Sequence, residues 1–437
     1  MKFLYHLMLF FLTLFLVSPA FSEVITQFVP SASITVEYTD NFNQTQDNKD
    51  DEFSTIYGVG LSFGVIDRNA SLFLNYNPEY TKHNEYSQYD AWTHDISLIG
   101  QYQASQHTSL TFSEVFVRDL NRTTRSNSWE QHDTNDTSVG ILYQFGERDS
   151  VGMDYTYSFD RYDTPNLDEY KSHTPSASLS YWFTPLFGFD TNISYEKIEY
   201  EISNNGPEIW TGDIRLIRSM TRHFDIYISY AHTDAKRELG DYTIYYPSIG
   251  FDWRPTEDSG IRMGFGGLHR EYEYFENEDD FFIEFNGYQN FDLSRKASLS
   301  ITGSSGYEPV DETAASLGLH IYGEVGFLFS YRLTRRLTAE LDSSYLFDKY
   351  DQPFYDQLLV DRVDKTLEFG AGLVWAPLQW LTLNLSYEFT DFDTDANARG
   401  DYQENVGLFT ITVTPSTPVR YQSSTPRATL ENRLFGR

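Results

Sequence analysis

Apolar and polar positions alternate with a period of two along most of this chain, the spacing that separates the two faces of a β-strand. In the segment WLTLNLSYEF, Leu381, Leu383, Leu385, Tyr387 and Phe389 share one face, and Thr382, Asn384, Ser386 and Glu388 share the other. The same parity sets Val151, Met153, Tyr155, Tyr157 and Phe159 against Gly152, Asp154, Thr156 and Ser158. It recurs in HFDIYISY, where Phe224, Ile226, Ile228 and Tyr230 oppose Asp225, Tyr227 and Ser229, and in RLTAELDSSYLF, where Leu337, Ala339, Leu341 and Tyr345 oppose Thr338, Glu340 and Asp342.

Short turns punctuate the alternation. They fall at Asp67-Arg68-Asn69, Ser105-Gln106-His107, Gly146 to Asp149, Pro185-Leu186, Thr221-Arg222, Pro255 to Ser259, Ser294-Arg295-Lys296, Thr334-Arg335 and Pro377-Leu378, spaced about 35 to 43 residues apart. Longer polar connections lie between them, such as NQTQDNKDDE, DTPNLDEYK and DTDANARGD. Each period holds two strands of about 12 residues, whereas a propeller blade would hold four short ones. Nine turns give nine hairpins plus a strand at each end, hence about 20 strands from Ser31 to Thr414. Pro175, Pro247 and the segment ASLSITGSSGYE, poor in bulky residues, weaken individual strands and leave 18 open. The predicted fold is all-β, a transmembrane antiparallel up-and-down barrel over residues 23–414, with short turns on the periplasmic side and long loops outside.

The first 22 residues stand apart. Lys2 and His6 precede an apolar run from Leu7 to Val17, and Ala20-Phe21-Ser22 supplies a small-residue cleavage site, so residues 1–22 read as a signal peptide removed on export. Beyond them no stretch approaches 18 consecutive apolar residues, so a membrane crossing would fall to a closed barrel, whose strands satisfy one another's backbone groups.

Composition sharpens the picture. With 32 Lys+Arg against 64 Asp+Glu the chain carries a net charge of −32, which disfavours a nucleic-acid partner. Cysteine is absent, so the fold has no disulfide or thiolate metal site. Aromatic residues make up 17% of the chain, as expected of rings gathered at two membrane interfaces. Trp182, Trp253, Trp375 and Trp380 sit beside short turns, while Trp92 and Trp210 begin strands that descend from long loops, so all six are assigned to interfacial girdles.

The polar parity defines a lumen. Asp154, Asp190, Asp225, Glu284, Glu324, Glu340, Asp342, Glu368 and Glu388 are its expected acids, against the fewer bases Arg215 and Arg262, which predicts a cation-preferring channel. A barrel of this girth encloses water or a plug, and no plug domain precedes the first strand. Residues 415–437 form a basic, flexible periplasmic tail whose Arg420, Arg427, Arg433 and Arg437 could enter an acidic lumen as a gate.

Catalytic signals are weak. His94/Asp95 and His132/Asp133 are chance-level neighbours, no nucleophile motif or metal-ligand cluster stands out, and neither an enzyme nor a cofactor is expected. Asp393, Asp395 and Asn397 resemble the start of a calcium loop, but Ala398 stands where such a loop needs glycine; acidic loops bridging divalent cations to lipopolysaccharide are the milder reading.

The first mature strand ASITVEYTDNF with its acidic loop, the tyrosine-ended strands ISYEKIEY and SSYLFDKY, and the late DYQENVGLFTITV together resemble the outer-membrane β-barrel porin family associated with exopolysaccharide and exosortase systems. The likeness spans nearly all of residues 30–414 and lies in periodicity. It implies a Gram-negative outer-membrane location and a role in moving or anchoring surface polysaccharide, with lipid, lipopolysaccharide, the barrel assembly machinery, exopolysaccharide and periplasmic export components as partners. Two functions follow as expectations. One is a channel for passive passage or export of polysaccharide or small hydrophilic solutes. The other is a structural barrel that anchors polymer through loop residues such as Tyr86, Tyr89 and Tyr355 without conduction. The chain departs from the usual aromatic C-terminus of such barrels, since Phe435 lies two residues from the end, so an internal assembly signal is expected around Gly407 to Val413.

Overall fold

A computed structural model describes residues 23–122, 129–163, 169–201, 206–237, 240–273, 276–313, 316–351, 362–395 and 400–424. The alternating segments form β1 (Glu23–Thr39), β2 (Glu52–Ile66), β3 (Ala70–His83), β4 (Ala91–Gln103), β5 (Thr108–Arg122), β6 (Trp129–Gln144) and β7 (Ser150–Tyr162). They continue as β8 (Tyr170–Thr184), β9 (Phe187–Tyr200), β10 (Glu208–Thr221), β11 (Phe224–Lys236), β12 (Tyr242–Thr256), β13 (Ser259–Tyr272) and β14 (Glu278–Ser294). The last are β15 (Ala297–Thr313), β16 (Ser316–Arg332), β17 (Leu337–Asp351), β18 (Arg362–Leu378), β19 (Leu381–Thr394), β20 (Tyr402–Val413) and β21 (Val419–Ser424). Only one short 3-10 turn, Ser87–Tyr89, interrupts this all-β order among the described residues.

Each of β1 to β20 pairs antiparallel with its sequence neighbours, and β1 pairs with β20, so the sheet closes into a barrel of 20 strands. Nine tight turns join β2 to β3 and so on to β18 and β19, as the turn residues predict. Two expected boundaries move. The last turn lies at Gln379–Trp380, not at Pro377-Leu378, because β18 runs on through Leu378 to pair with Leu381. The first strand begins at Glu23, well before Ser31.

That early start belongs to the stagger of the barrel. Successive strands of a tilted sheet are offset, so at the seam Ala32 of β1 meets Val413, the last residue of β20, while Ile25 still pairs with Ile66 on the other side. Glu23–Ser31 therefore project past the end of β20 with one edge open. β21 covers that edge, pairing Val419 with Phe28 and Ser424 with Glu23. Pro415 and Pro418, which lack amide donors, separate β20 from β21. Residues 419–424 of the expected flexible tail are thus a strand of the wall, and residues 425–437 lie outside the described residues.

Two prolines within strands show how the wall tolerates a missing donor. Pro175 sits opposite Tyr155 on β7, and the β8–β9 ladder breaks between His173 and Ser176. Pro247 sits opposite Tyr230 on β11, and the β12–β13 ladder breaks between Tyr245 and Ser248. Each proline leaves one ladder continuous and gaps the other, so both strands persist.

Deleting residues 415–437 is expected to lower barrel stability by about 2 to 4 kcal/mol, at roughly 0.5–1.5 kcal/mol for each interstrand hydrogen bond lost. Removing 425–437 alone is the control. The midpoint of the heat-induced gel shift measures both; equal midpoints for the two truncated proteins would show that β21 contributes nothing to the seam.

Candidate lumen site

Register propagates the two faces from strand to strand. Tyr387 and Leu385 of β19 meet Gly407 and Phe409 of β20, which in turn meet Tyr38 and Val36 of β1 and so define one continuous apolar face. Side chains converge on the opposite face. A Cβ added at Gly140 would lie 2.2 Å from Asp154 Oδ1, and one at Gly370 would lie 2.4 Å from Asp342 Oδ1. On the apolar face a Cβ at Gly267, Gly323 or Gly407 meets nothing within 4 Å. Apart from Gly287 and Gly303, which meet the ring of Phe285, crowding belongs to the concave side, so the polar face lines the lumen and the apolar face is outermost. Large apolar side chains such as Ile228, Ile249 and Leu385 are accordingly exposed on the outside.

By this register Asp154, Asp190, Asp225, Glu284, Glu324, Glu340, Asp342, Glu368, Glu388, Arg215 and Arg262 all fall on the lumen face. Glu37 of β1, Glu404 of β20 and Asp213 of β10 join them. The same alternation in TGDIRLI would have marked Asp213, whereas Glu37 and Glu404 come together only through closure of the seam.

Basic and acidic groups divide the lumen wall. On β10 to β14 the arginines are engaged. Arg262 and Arg254 both reach Asp252, at 2.9 and 2.8 Å, and Arg270 holds Glu278 and Asp280 at 2.7 Å each. Arg215 lies over the ring of Tyr227, 4.6 Å from its centre. From β17 round to β1, Asp342, Glu368, Glu388, Glu404 and Glu37 follow one another on adjoining strands. None of these five forms an ion pair among the described residues. Their partners are polar and neutral: Ser344 donates to Glu368 at 2.9 Å, Thr39 to Glu404 at 2.7 Å and Ser54 to Glu37 at 3.4 Å. The acids of this arc act on one another and leave an uncompensated negative wall.

The lysines of the strands share one placement. Lys82, Lys171, Lys197, Lys236, Lys349 and Lys365 all take the outer face near the long-loop ends of their strands. Lys171 bonds Glu201 at 2.7 Å and Lys197 bonds Glu199 at 2.9 Å. Just nearer the turns lie Tyr–His pairs such as Tyr155–His173, bonded at 2.7 Å, and Tyr76–His94 at 3.2 Å.

Five of the six tryptophans assigned to the girdles fit an outer girdle by position: Trp92, Trp210, Trp253 and Trp375 face outward, and Trp380 stands in the last turn. Trp182 departs from that expectation. It takes the lumen parity, where its ring covers Gly188 and lies beneath Arg148, whose guanidinium is 3.5 Å from the ring centre. Of the expected gate, Arg420 is held in β21 opposite Gln27, while Arg427, Arg433 and Arg437 lie outside the described residues. Asp395 accepts the Val363 amide at 2.7 Å and Asp393 pairs with Lys365 at 3.2 Å, so these carboxylates anchor strand ends. Asn397, Ala398 and Tyr355 lie outside the described residues.

Among the long loops, residues 40–51 fold over the barrel rim. Asn41 is fully buried and donates to the carbonyls of Thr45 and Gln403, each at 2.8 Å. Phe42 stacks on Tyr86 at 4.6 Å and on Trp129 at 4.9 Å. Beyond the outer Arg118–Asp133 pair, His132 lies 2.9 Å from Asp160 and 3.5 Å from Asp119. Burial works against its charged form, but the two carboxylates outweigh it and lift its pKa to about 9. No group of three His, Asp or Glu side chains converges to hold a metal ion among the described residues.

No protein-family profile and no curated protein matches the chain. Solved structures do. The siderophore receptor PirA from Acinetobacter baumannii matches at a TM-score of 0.53 and 8% identity over 89% of this chain and 80% of its own. The FrpB iron transporter from Neisseria meningitidis matches at a TM-score of 0.53 and 11% identity over 89% of this chain and 81% of its own. At such identities the likeness is one of fold, that of an outer-membrane β-barrel.

Because the folded pKa of His132 is raised, its stabilising charge is fully present below about pH 6.5 and is lost as pH rises through about 9. Imidazole resonances of the folded protein should show one ring titrating near pH 9, and that ring should vanish in His132→Gln. A His132 midpoint near 6.5 would contradict the paired geometry.

Proposed function

We propose that the chain is a Gram-negative outer-membrane channel, exported by removal of residues 1–22, which passes small hydrophilic solutes or polysaccharide and prefers cations. The observation that carries this reading is the unpaired arc of Asp342, Glu368, Glu388, Glu404 and Glu37 on the lumen wall. Carboxylates that act on one another attract mobile cations to the wall, whereas the arginines opposite are already engaged by acids or an aromatic face. Within about a Debye length, roughly 10 Å at 0.1 M salt, that wall biases the ions that pass.

The remaining partners follow from the outer surface. Outward lysines near the long-loop ends suit phosphorylated headgroups of lipopolysaccharide, and the Tyr–His pairs beneath them suit the membrane interface. Gly407 to Val413 lies in the strand that closes the seam, a fitting place for an internal signal read by the assembly machinery. A second reading, a barrel that anchors surface polysaccharide without conduction, is favoured by the ordered rim loop around Asn41 and Phe42. Tyr86 offers one face less to a sugar than its sequence position suggests, because Phe42 covers the other. Exopolysaccharide and periplasmic export components would be partners in either reading.

Planar-bilayer recordings of residues 23–437 in a salt gradient should give stable conductance with a cation-selective reversal potential. Replacing Asp342, Glu368, Glu388, Glu404 and Glu37 by their amides should bring cation and anion permeabilities to within about twofold of each other. Insertion without conductance favours the anchoring barrel. Conductance whose selectivity ignores the five substitutions removes the acidic arc from the account.

A further inference from the structure

The wall is not paired along its whole height between β14 and β15. Their ladder ends at Phe285 opposite Ser305, yet β14 continues through Glu278–Glu284 on the ladder to β13, and β15 continues through Gly306–Thr313 on the ladder to β16. No pairing joins these two extensions, which lie on the long-loop half of the barrel. At the fork the Ser305 hydroxyl donates to the Ile283 carbonyl at 3.0 Å, satisfying the first backbone acceptor above the ladder.

Immediately toward the turns the outer face holds a groove. Gly287 and Gly303 are register partners, so two outward positions on adjoining strands carry no side chain, and a cavity of about 260 Å³ opens between Ile261, Ile301 and Val325. The ring of Phe285 lies over this glycine pair, 2.7 Å from where a Cβ on Gly287 would stand and 2.9 Å from one on Gly303, and forms the upper edge of the cavity. The segment ASLSITGSSGYE, weak as a lipid-facing strand by composition, is one wall of this groove and one edge of the fork.

On the lumen side an aromatic cluster lies behind the fork. Tyr246 and Phe282 face inward and are buried. Tyr307 has the parity of the outer face, but its ring lies 5.2 Å from Tyr246 and 5.5 Å from Phe282, edge to face with both. Ile321, its register partner on β16, packs on the same cluster. Tyr307 thus fills the opening between the strands as a stopper, while Phe281 and Ile283 remain exposed on the outer edge.

We propose that this fork is a lateral portal for a single-chain amphiphile, with the acyl chain in the Gly287/Gly303 groove and the polar head reaching the lumen past Tyr307. Groove and fork are contiguous at Phe285, so one molecule can occupy both. An open strand edge in hydrocarbon leaves backbone groups without partners, which is costly. A polar head passing the fork, or lumen water behind it, supplies those partners, and an apolar groove facing hydrocarbon selects a chain. The portal rests on backbone pairing and outer-face shape and is independent of lumen charge.

Two long-chain fatty acids, one with a diazirine beside the carboxylate and one with it at the chain end, test this with the barrel in lipid nanodiscs, photolysed and mapped by peptide mass spectrometry. The carboxylate-side probe is expected to label lumen-facing Tyr246 and Phe282 and the chain-end probe outward Ile261 and Val325, both saturating with added fatty acid. Gly303→Leu should lower the labelling of Tyr246 and Phe282 at least fivefold. Val325→Phe, at an exposed outward site, should do the same from the other side of the groove in a variant whose folding is checked by heat modifiability. Label confined to outward residues with both probes, no label, or lumen labelling unchanged in the folded Val325→Phe variant would each overturn the proposal.

Discussion

Closure of the backbone hydrogen-bond ladder is the constraint on which the rest of this molecule depends. A sheet with two open edges would leave a column of unpaired amides and carbonyls on each, and in a bilayer nothing would satisfy them. Closure through β1 and β20 removes the edges but meets the offset that tilted strands accumulate around the barrel. The offset leaves Glu23–Ser31 projecting, and β21 fits that gap. Residues 419–424 are therefore part of the wall, with two prolines marking where one strand stops and the other begins.

Closure also sets the chemistry of the interior. Alternation commits every second residue to the lumen, and register then decides which strands bring like charges together. Acids spaced far apart in the sequence, Glu37 and Glu404 among them, become neighbours only at the seam. Arginine, with its planar, multi-donor head, is engaged by Asp252 or over Tyr227 inside and by Asp133 outside, whereas the strand lysines all lie outside at the long-loop ends.

Much of this was legible in the sequence because a period of two with short turns has few other meanings. The turn residues located all nine hairpins, and alternation alone placed Asp154, Glu340 and Glu388 on one face. What remained hidden depends on pairing between strands or on local parity. Trp182 stands beside a turn like Trp253, Trp375 and Trp380, but its parity is inward, and Arg148 meets it from a different hairpin. Val419–Ser424 looks like a tail because its partner lies at the far end of the chain. The weakness of ASLSITGSSGYE was visible, but not that its missing side chains lie beside an unpaired stretch of wall.

The most direct test of the account is accessibility along one strand. The native chain has no cysteine, so single cysteines at positions 381 to 390 of β19 report without background. In intact membranes a charged, water-soluble maleimide should label positions 382, 384, 386 and 388, and a lipid-soluble maleimide should prefer 383, 385, 387 and 389. Labelling that does not alternate, or that shows the opposite parity, would contradict a closed barrel with a polar lumen and an apolar outer face.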